Sequence, residues 1–299
     1  MNSTTTRAGQ RTEPKRPGAP RPPLSLRLKK LPLQIAVAIM LFLVVYPMAW
    51  MVLSSFKTNR EFLEEPVWSL PSSFSMENYA TAITTGNLDQ YAINSLLAVV
   101  PALLLIVIFG AAAGFALEVM VWKGRNSTLL LFLVGIMVPP QMILLPLFTA
   151  YFQTGLTGSL WPLILTYTAI GLPLTTFMMT MYFRSVPREV FEASILDGAG
   201  IVRTFFLVGL PMVRSGVLTV ALVQFFFLWN DLLIALTFTQ SDDLRTIQVG
   251  LLNFSGRFGA TDYGPLFAAI SLTVVGTLAL YLVMNQRIQK GMVGGAVKG

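Results

Sequence analysis

From Asn126 to Phe183 the chain runs 58 residues without one Asp, Glu, Lys or Arg. A soluble domain carries about 25% charged residues and cannot leave so long a stretch bare. The hydrocarbon core of a bilayer takes about 20 apolar residues as a helix, so this run holds two spans. The turn between them falls at Gln153–Ser159, where Thr154, Gly155, Thr157 and Gly158 interrupt the apolar pattern. Other uncharged runs are Leu31–Phe56 (26 residues), Gln90–Leu117 (28), Ser215–Asn230 (16) and Tyr263–Gln286 (24). The reading is an all-α polytopic membrane protein with six helices at 33–55, 91–119, 127–152, 160–183, 208–238 and 263–286. Composition agrees: 54% of the 299 residues are hydrophobic and 12% are charged.

The charges are unevenly placed. With six spans, one side of the membrane collects the N-terminal tail, Lys123, Arg125, the 184–214 loop and the C-terminal tail. That side holds 17 of the 21 Lys and Arg residues. The other holds Lys57, Arg60, Arg245 and Arg257, with nine of the 14 acids. The positive-inside rule makes the first side cytoplasmic and predicts both termini there. The net charge of +7 then reports orientation rather than nucleic-acid affinity. Residues 1–28, rich in Arg, Lys and Pro, read as a disordered tail whose charge sets topology beside the first span. That span is too long for the apolar region of a signal peptide and leads into Ser54-Ser55-Phe56-Lys57 without a small-residue cleavage site.

The chain has no Cys and no His. Disulfide frameworks, thiolate nucleophiles, Cys/His zinc sites and Ser-His catalysis are therefore excluded. No phosphate-cradling G-x-x-x-x-G-K-[ST] is present, and Gly198-Ala199-Gly200 lacks the third Gly of a dinucleotide fingerprint. The expected protein is not an enzyme and holds no cofactor or metal of its own.

The most informative stretch is Val186-Pro187-Arg188-Glu189-Val190-Phe191-Glu192-Ala193-Ser194-Ile195-Leu196-Asp197-Gly198. Pro187 suits the first turn of a helix. Glu189 and Glu192 lie near its positive end. Arg188 and Glu192, four apart, are placed to pair, and Gly198 suits a left-handed cap. Val190, Phe191, Ser194 and Ile195 share one face. The stretch predicts a short, capped, amphipathic helix outside the membrane. A helix resting on the bilayer and a helix docking into a partner protein both fit.

The residues now carry a resemblance. Glu192-Ala193-Ser194, Gly198, Val208 and Leu210-Pro211 resemble the EAA loop of ABC-transporter permeases, with every spacing kept. Ser194 stands for the family's second Ala, and Val208 for its Ile. The C-terminal Gln286-Arg287, Lys290-Gly291 and Gly294-Gly295-Ala296-Val297-Lys298-Gly299 resemble the tail of the shorter permease of maltose-type carbohydrate importers. Phe56-Lys57, Asn94-Ser95-Leu96, Pro139-Pro140-Gln141, Pro146-Leu147 and Trp229-Asn230-Asp231 resemble the same family. The likeness runs from about residue 31 to the end.

The resemblance implies a type I importer fold and a sugar substrate. The implied partners are a second homologous permease, an ATPase dimer that binds ATP and Mg, and an extracytoplasmic solute-binding protein. It assigns ATPase coupling to Arg188, Glu189, Glu192, Ala193, Ser194, Asp197, Gly198, Leu210 and Pro211. It also implies that Gly295, Ala296, Val297, Lys298 and Gly299 reach between the ATPases.

Polar groups inside spans are candidates for a substrate path, because lipid disfavours them. Asp231 is the one acid well within a predicted span. With Asn230 and Gln224 it is placed to bond sugar hydroxyls, or alternatively to pair with Arg245. Pro139-Pro140 should break the third helix beside Gln141, freeing carbonyls for a path or making a packing kink. Glu118 is expected to snorkel toward the interface or to pair with Lys123 or Arg125. Gly110 and Gly114 have helix-contact spacing. Glu61, Glu64 and Glu65 read as a solvated loop rather than a metal site, and Trp50, Trp68, Trp122 and Trp161 as interfacial anchors.

A rival class is an ion-coupled secondary transporter or channel acting without an ATPase. Such carriers place ionisable groups at midplane, and this chain offers only the off-centre Asp231. Glu192→Lys or Gly198→Pro is expected to abolish transport while leaving the protein in the membrane. Uptake measured on vesicles, with membrane abundance as control, checks this; normal uptake by either variant overturns the coupling assignment.

Overall fold

The computed structural model describes residues 24–254 and 261–296, with side chains in 31–254 and 261–282. The chain divides into two units, residues 1–49 and 50–299. In the first, helix α1 (Leu24–Ser54) begins four residues before the expected tail boundary at 28 and continues into the second unit. Past Pro23 the sequence Leu-Ser-Leu-Arg-Leu-Lys-Lys is rich in helix formers, so nothing delays the first turn. The most apolar 18 residues within Leu31–Ser54 have mean hydropathy 2.4.

The second unit is helical, with no β-strand among the described residues. Short helices α2 (Asn59–Glu64) and α3 (Glu77–Thr84) precede α4 (Leu88–Glu118). Then come α5 (Arg125–Met137), α6 (Pro140–Gln153) and α7 (Trp161–Arg184). After α8 (Arg188–Leu196), one helix is assembled from α9 (Ile201–Thr204), a π turn at Phe205–Gly209 and α10 (Leu210–Met212). The chain continues through α11 (Arg214–Trp229), α12 (Leu233–Phe238), α13 (Ile247–Gly250) and α14 (Tyr263–Ala296). Four helices are long and apolar enough to cross a membrane, and six crossings result if each of two bent pairs counts as one.

The bends lie where backbone hydrogen bonding fails. Pro139 and Pro140 lack N–H groups, and α5 and α6 meet at 94°. The break expected in the third span is present. The fifth span is not the continuous 208–238 helix expected. Ile201–Met212 meets Arg214–Trp229 at 78°, and α12 starts anew after Asn230-Asp231-Leu232. Pro211 removes one donor near the first break, and Asp231 turns its carboxylate onto the N–H groups of α12 at the second. The sixth helix also outruns its expected end at 286, with α14 helical to Ala296.

The central contact is between α4 and α7. Gly171 faces Ile106, Gly110 faces Thr175 and Gly114 faces Met179. Each step of four along α4 is matched by four along α7, so the helices run parallel. Parallel neighbours separated by α5 and α6 require that bent pair to return the chain across the layer once. A Cβ at Gly114 would lie 2.7 Å from the Met179 Cβ and 2.9 Å from the Thr180 backbone nitrogen. The expected helix-contact role of Gly110 and Gly114 is therefore what the packing shows. Helix association in lipid depends on such close packing, because burying apolar surface there gains little.

Helix α11 runs antiparallel to α7. Gly216 lies against Tyr182, Gln224 bonds Thr175 and Asp231 bonds Tyr167. At the N-terminal end of α4, Ser95 accepts from the Ile247 N–H at 2.8 Å, and Asn94 donates to the Asp243 and Arg245 carbonyls. Glu61 is not merely solvated. It is buried and accepts from the Thr58 and Ser72 N–H groups at 2.7 Å each, closing a capping box. Hydrogen bonding from the Ser72 side chain, together with those two N–H groups, holds its carboxyl down at about 2. Glu64 instead pairs with Arg60 on the surface.

Gly114→Leu is expected to destabilise the fold by about 1–3 kcal/mol, since the α7 backbone must move to admit the side chain. Thermal unfolding in detergent checks this, with Gly276→Ala, where a Cβ meets nothing within 4 Å, as the open-space comparison.

Candidate functional site

The exposed helix α8 has the geometry its sequence encodes. Pro187 is the capping residue, at φ −57° and ψ 135°, and the helix starts one residue later than Pro187 at the first turn would place it. At the other end Gly198 has φ 83°, in the left-handed region that an L side chain rarely adopts. Its N–H donates to Ile195 O at 2.9 Å, and the Ala199 N–H donates to Ser194 O at 3.1 Å. This pair of bonds is a Schellman cap. A Cβ on Gly198 would meet nothing within 4 Å, so backbone conformation alone demands glycine there.

Arg188, Glu189, Glu192, Ala193 and Asp197 are exposed. Arg188 and Glu192 form no ion pair; two solvated side chains gain little by closing. Of the expected apolar face, Phe191 is buried, Val190 and Ser194 are half-buried, and Ile195 is exposed. Leu210 packs beside the cluster that holds Phe191, and Pro211 is exposed.

Phe191 enters an aromatic socket. Its ring centroid is 5.8 Å from Phe115 at the end of α4. Phe115 in turn lies 5.4 Å from Phe183 on α7 and 5.2 Å from Phe205 in the π turn. All three contacts with Phe115 are edge-to-face, the arrangement favoured by the ring quadrupoles. A second tie joins α8 to α9: the Ser194 and Thr204 hydroxyls are 3.0 Å apart, with Thr204 fully buried. The family's Ala at position 194 cannot make this bond. Beneath α8, Glu118 accepts two bonds from the Arg184 guanidinium at 2.9 and 3.1 Å. It does not pair with Lys123 or Arg125, because the parallel packing of α4 and α7 brings their C-terminal ends together. A cavity of about 430 Å³ separates α8 from these helix ends, lined by Glu118, Arg184, Arg188, Phe191, Glu192 and Ile195 among others.

The intramembrane candidates divide. Gln224 and Asp231 line a cavity of about 280 Å³ with Tyr167 and Gly171, beside the α5–α6 bend. Asp231 accepts from the Tyr167 hydroxyl and from the Ala235 N–H, both at 2.9 Å. It does not pair with Arg245, which bonds Asp242 at 2.7 Å and also Asn253. Gln224 donates to Gly171 O at 3.0 Å and to the Thr175 hydroxyl at 2.9 Å. Asn230 bonds back to Phe226 O, is exposed and is not brought to the cavity; Gln141 is exposed and also stands apart from it. Gly295 and Ala296 end α14, and Val297, Lys298 and Gly299 lie outside the described residues.

Sequence reasoning did not find Phe115, Phe183, Phe205, Thr204 or Tyr167. All lie within apolar or weakly polar helical runs, and only helix pairing distinguishes them from other buried residues.

The second unit is thus a charge-poor helical bundle that carries a capped, exposed helix between α7 and α9. Residues 106–292 match the family of binding-protein-dependent transport system inner membrane components, and the chain belongs to that family. It is 40% identical to the diacetylchitobiose uptake system permease protein NgcG of Streptomyces coelicolor over 247 residues, 82% of each chain. It is 34% identical to the probable ABC transporter permease protein YurM of Bacillus subtilis, over 89% of each chain. A chain from a bacterial ABC transporter that imports alginate has the same fold, with TM-score 0.76 and 17% identity, covering 90% of this chain and 99% of that one. The protein is thus a multi-pass membrane permease, a non-catalytic component of an ABC importer. The family works with a binding protein, and the secondary-transporter alternative is not favoured.

Ser194→Ala leaves the buried Thr204 hydroxyl without this partner. The expected loss of stability is about 1–3 kcal/mol. Thr204→Val added to Ser194→Ala should recover part of it, and a double-mutant cycle on unfolding midpoints measures the coupling.

Proposed function

We propose that this permease forms half of the translocation path of an ATP-driven sugar importer, with both termini and α8 on the cytoplasmic side. The observation that carries the proposal is α8 itself. It is a capped helix that exposes Glu189, Glu192, Ile195 and Leu196 and touches the bundle through one buried side chain. A helix that served only to brace its own bundle would bury Ile195 and Leu196 as well. One that presents both charged and apolar groups is suited to docking in a cleft of an ATPase subunit.

In this reading Arg188, Glu189, Glu192, Ala193, Ser194, Asp197 and Gly198 form the docking element, and Leu210 and Pro211 continue it into the fifth span. Two ATPase subunits bind ATP and Mg, and their closure moves α8. Gly295–Gly299 extend toward those subunits. A second homologous permease supplies the other half of the path, and an extracytoplasmic solute-binding protein delivers substrate.

Substrate passes the wall that carries Gln224 and Asp231 and meets Gln141 and Asn230 only outside that cavity. The relative named for diacetylchitobiose uptake, at 40% identity, supports an N-acetylglucosamine disaccharide as cargo. Such a sugar offers hydroxyl and amide groups to a carboxylate and a carboxamide, and needs no counter-ion in the path.

The test is reconstitution of the permease pair, ATPase and binding protein in liposomes, assayed with diacetylchitobiose, maltose and trehalose. ATP-dependent accumulation of diacetylchitobiose is expected, and none of it without the ATPase. Transport by the permeases alone overturns the ATP-driven reading. ATP-dependent uptake of maltose or trehalose but not diacetylchitobiose overturns the proposed cargo.

A further inference from the structure

Helix α8 is nine residues long, yet Phe191 is its single buried residue. The neighbouring cavity of about 430 Å³ keeps the rest of α8 off the ends of α4 and α7. The Phe191 ring is therefore the main packed contact between this helix and the spans, with half-buried Val190 beside it. That ring touches Phe115, which touches both Phe183 and Phe205 at centroid distances of 5.4 and 5.2 Å. Packed interiors are close to incompressible, so displacement of one ring displaces the others. Gly209 lets this cluster close, because a Cβ there would meet Phe115 at 3.2 Å and Phe183 at 3.4 Å.

On the other flank, the Ser194–Thr204 contact at 3.0 Å ties α8 to α9. Beyond α9 lies the π turn Phe205–Gly209, and beyond α10 the 78° bend at Val213. Such π turns recur at functional sites and supply slack in an otherwise regular helix.

We propose that α8 and α9 move as one rigid unit and that Phe191 is the positioning residue through which this movement reaches α4 and α7. The π turn absorbs the difference between that unit and α11. This rests on the reading of α8 as the ATPase-docking helix. Motion is transmitted by the socket; the exposed charges of α8 serve only to hold the ATPase.

The experiment uses the reconstituted complex and reads ATP hydrolysis and sugar uptake on the same vesicles. Phe191→Ala is expected to leave assembly intact and ATP hydrolysis within twofold, while sugar moved per ATP falls at least tenfold. Phe191→Tyr, which keeps the ring, is expected to restore the ratio. An unchanged ratio in Phe191→Ala overturns the proposal, whether both rates stay normal or both fall together.

A second arm does not depend on that variant folding. The chain has no native Cys, so Ser194→Cys with Thr204→Cys allows a disulfide between α8 and α9. Uptake with the bond formed should match uptake after its reduction. Loss of uptake on oxidation, restored by reductant, shows that α8 moves relative to α9 and overturns the rigid unit.

Glu192→Lys separates the two readings. If it leaves ATPase attachment and uptake unchanged, the docking reading fails. If it abolishes attachment while Phe191→Ala transports with a normal ratio, only the pivot fails.

Discussion

The parallel contact of α4 and α7 is the constraint on which the rest of the second unit depends. Three positions make it close: Gly110 and Gly114 on α4, and Gly171 on α7. In lipid the hydrophobic effect does little to hold helices together, so the depth of this contact must come from small side chains. Because the helices run parallel and in register, their ends coincide. Glu118 then finds Arg184, and Phe115 finds Phe183. The floor beneath α8 is thus a consequence of helix packing one and two turns away.

The same contact organises the opposite half. With α7 fixed against α4, α11 packs antiparallel on both, placing Gln224 at Gly171 and Thr175 and Asp231 at Tyr167. Buried polar groups in a membrane need partners, and both side chains find theirs on α7. Asp231 also caps α12, so one carboxylate both stops a span and fixes the next turn. The interior polar groups are therefore structural members as well as the wall of a cavity. Along α8 the logic is reversed: capping and helix propensity make the helix locally, and the bundle holds it through the Phe191 ring, half-buried Val190 and the Ser194–Thr204 bond.

Much of this was legible in residue order. The 58-residue uncharged run required two spans, Gly155 and Gly158 marked the turn between them, and Pro139-Pro140 marked the bend. Pro187 and Gly198 bounded α8 to within a residue. The capping box at Thr58 and Glu61 was also written in the sequence, but a cluster of three outer acids drew attention to solvent instead. The fifth span was misjudged because hydropathy records apolar residues and not the backbone donors that Asp231 satisfies.

What the sequence determined by itself was local: where chain must be helical, where Pro139-Pro140 must break it, and where a short capped helix stands. Each depends on composition or on residues within a few positions of one another. What only the tertiary structure decided was pairing. Glu118 chose Arg184 over its neighbours Lys123 and Arg125, Asp231 chose Tyr167 over Arg245, and Phe191 found Phe115 across 76 positions of chain. Those choices depend on which faces of distant helices meet, and that is set by the shape fit of α4 on α7, which has no signature in charge or hydropathy.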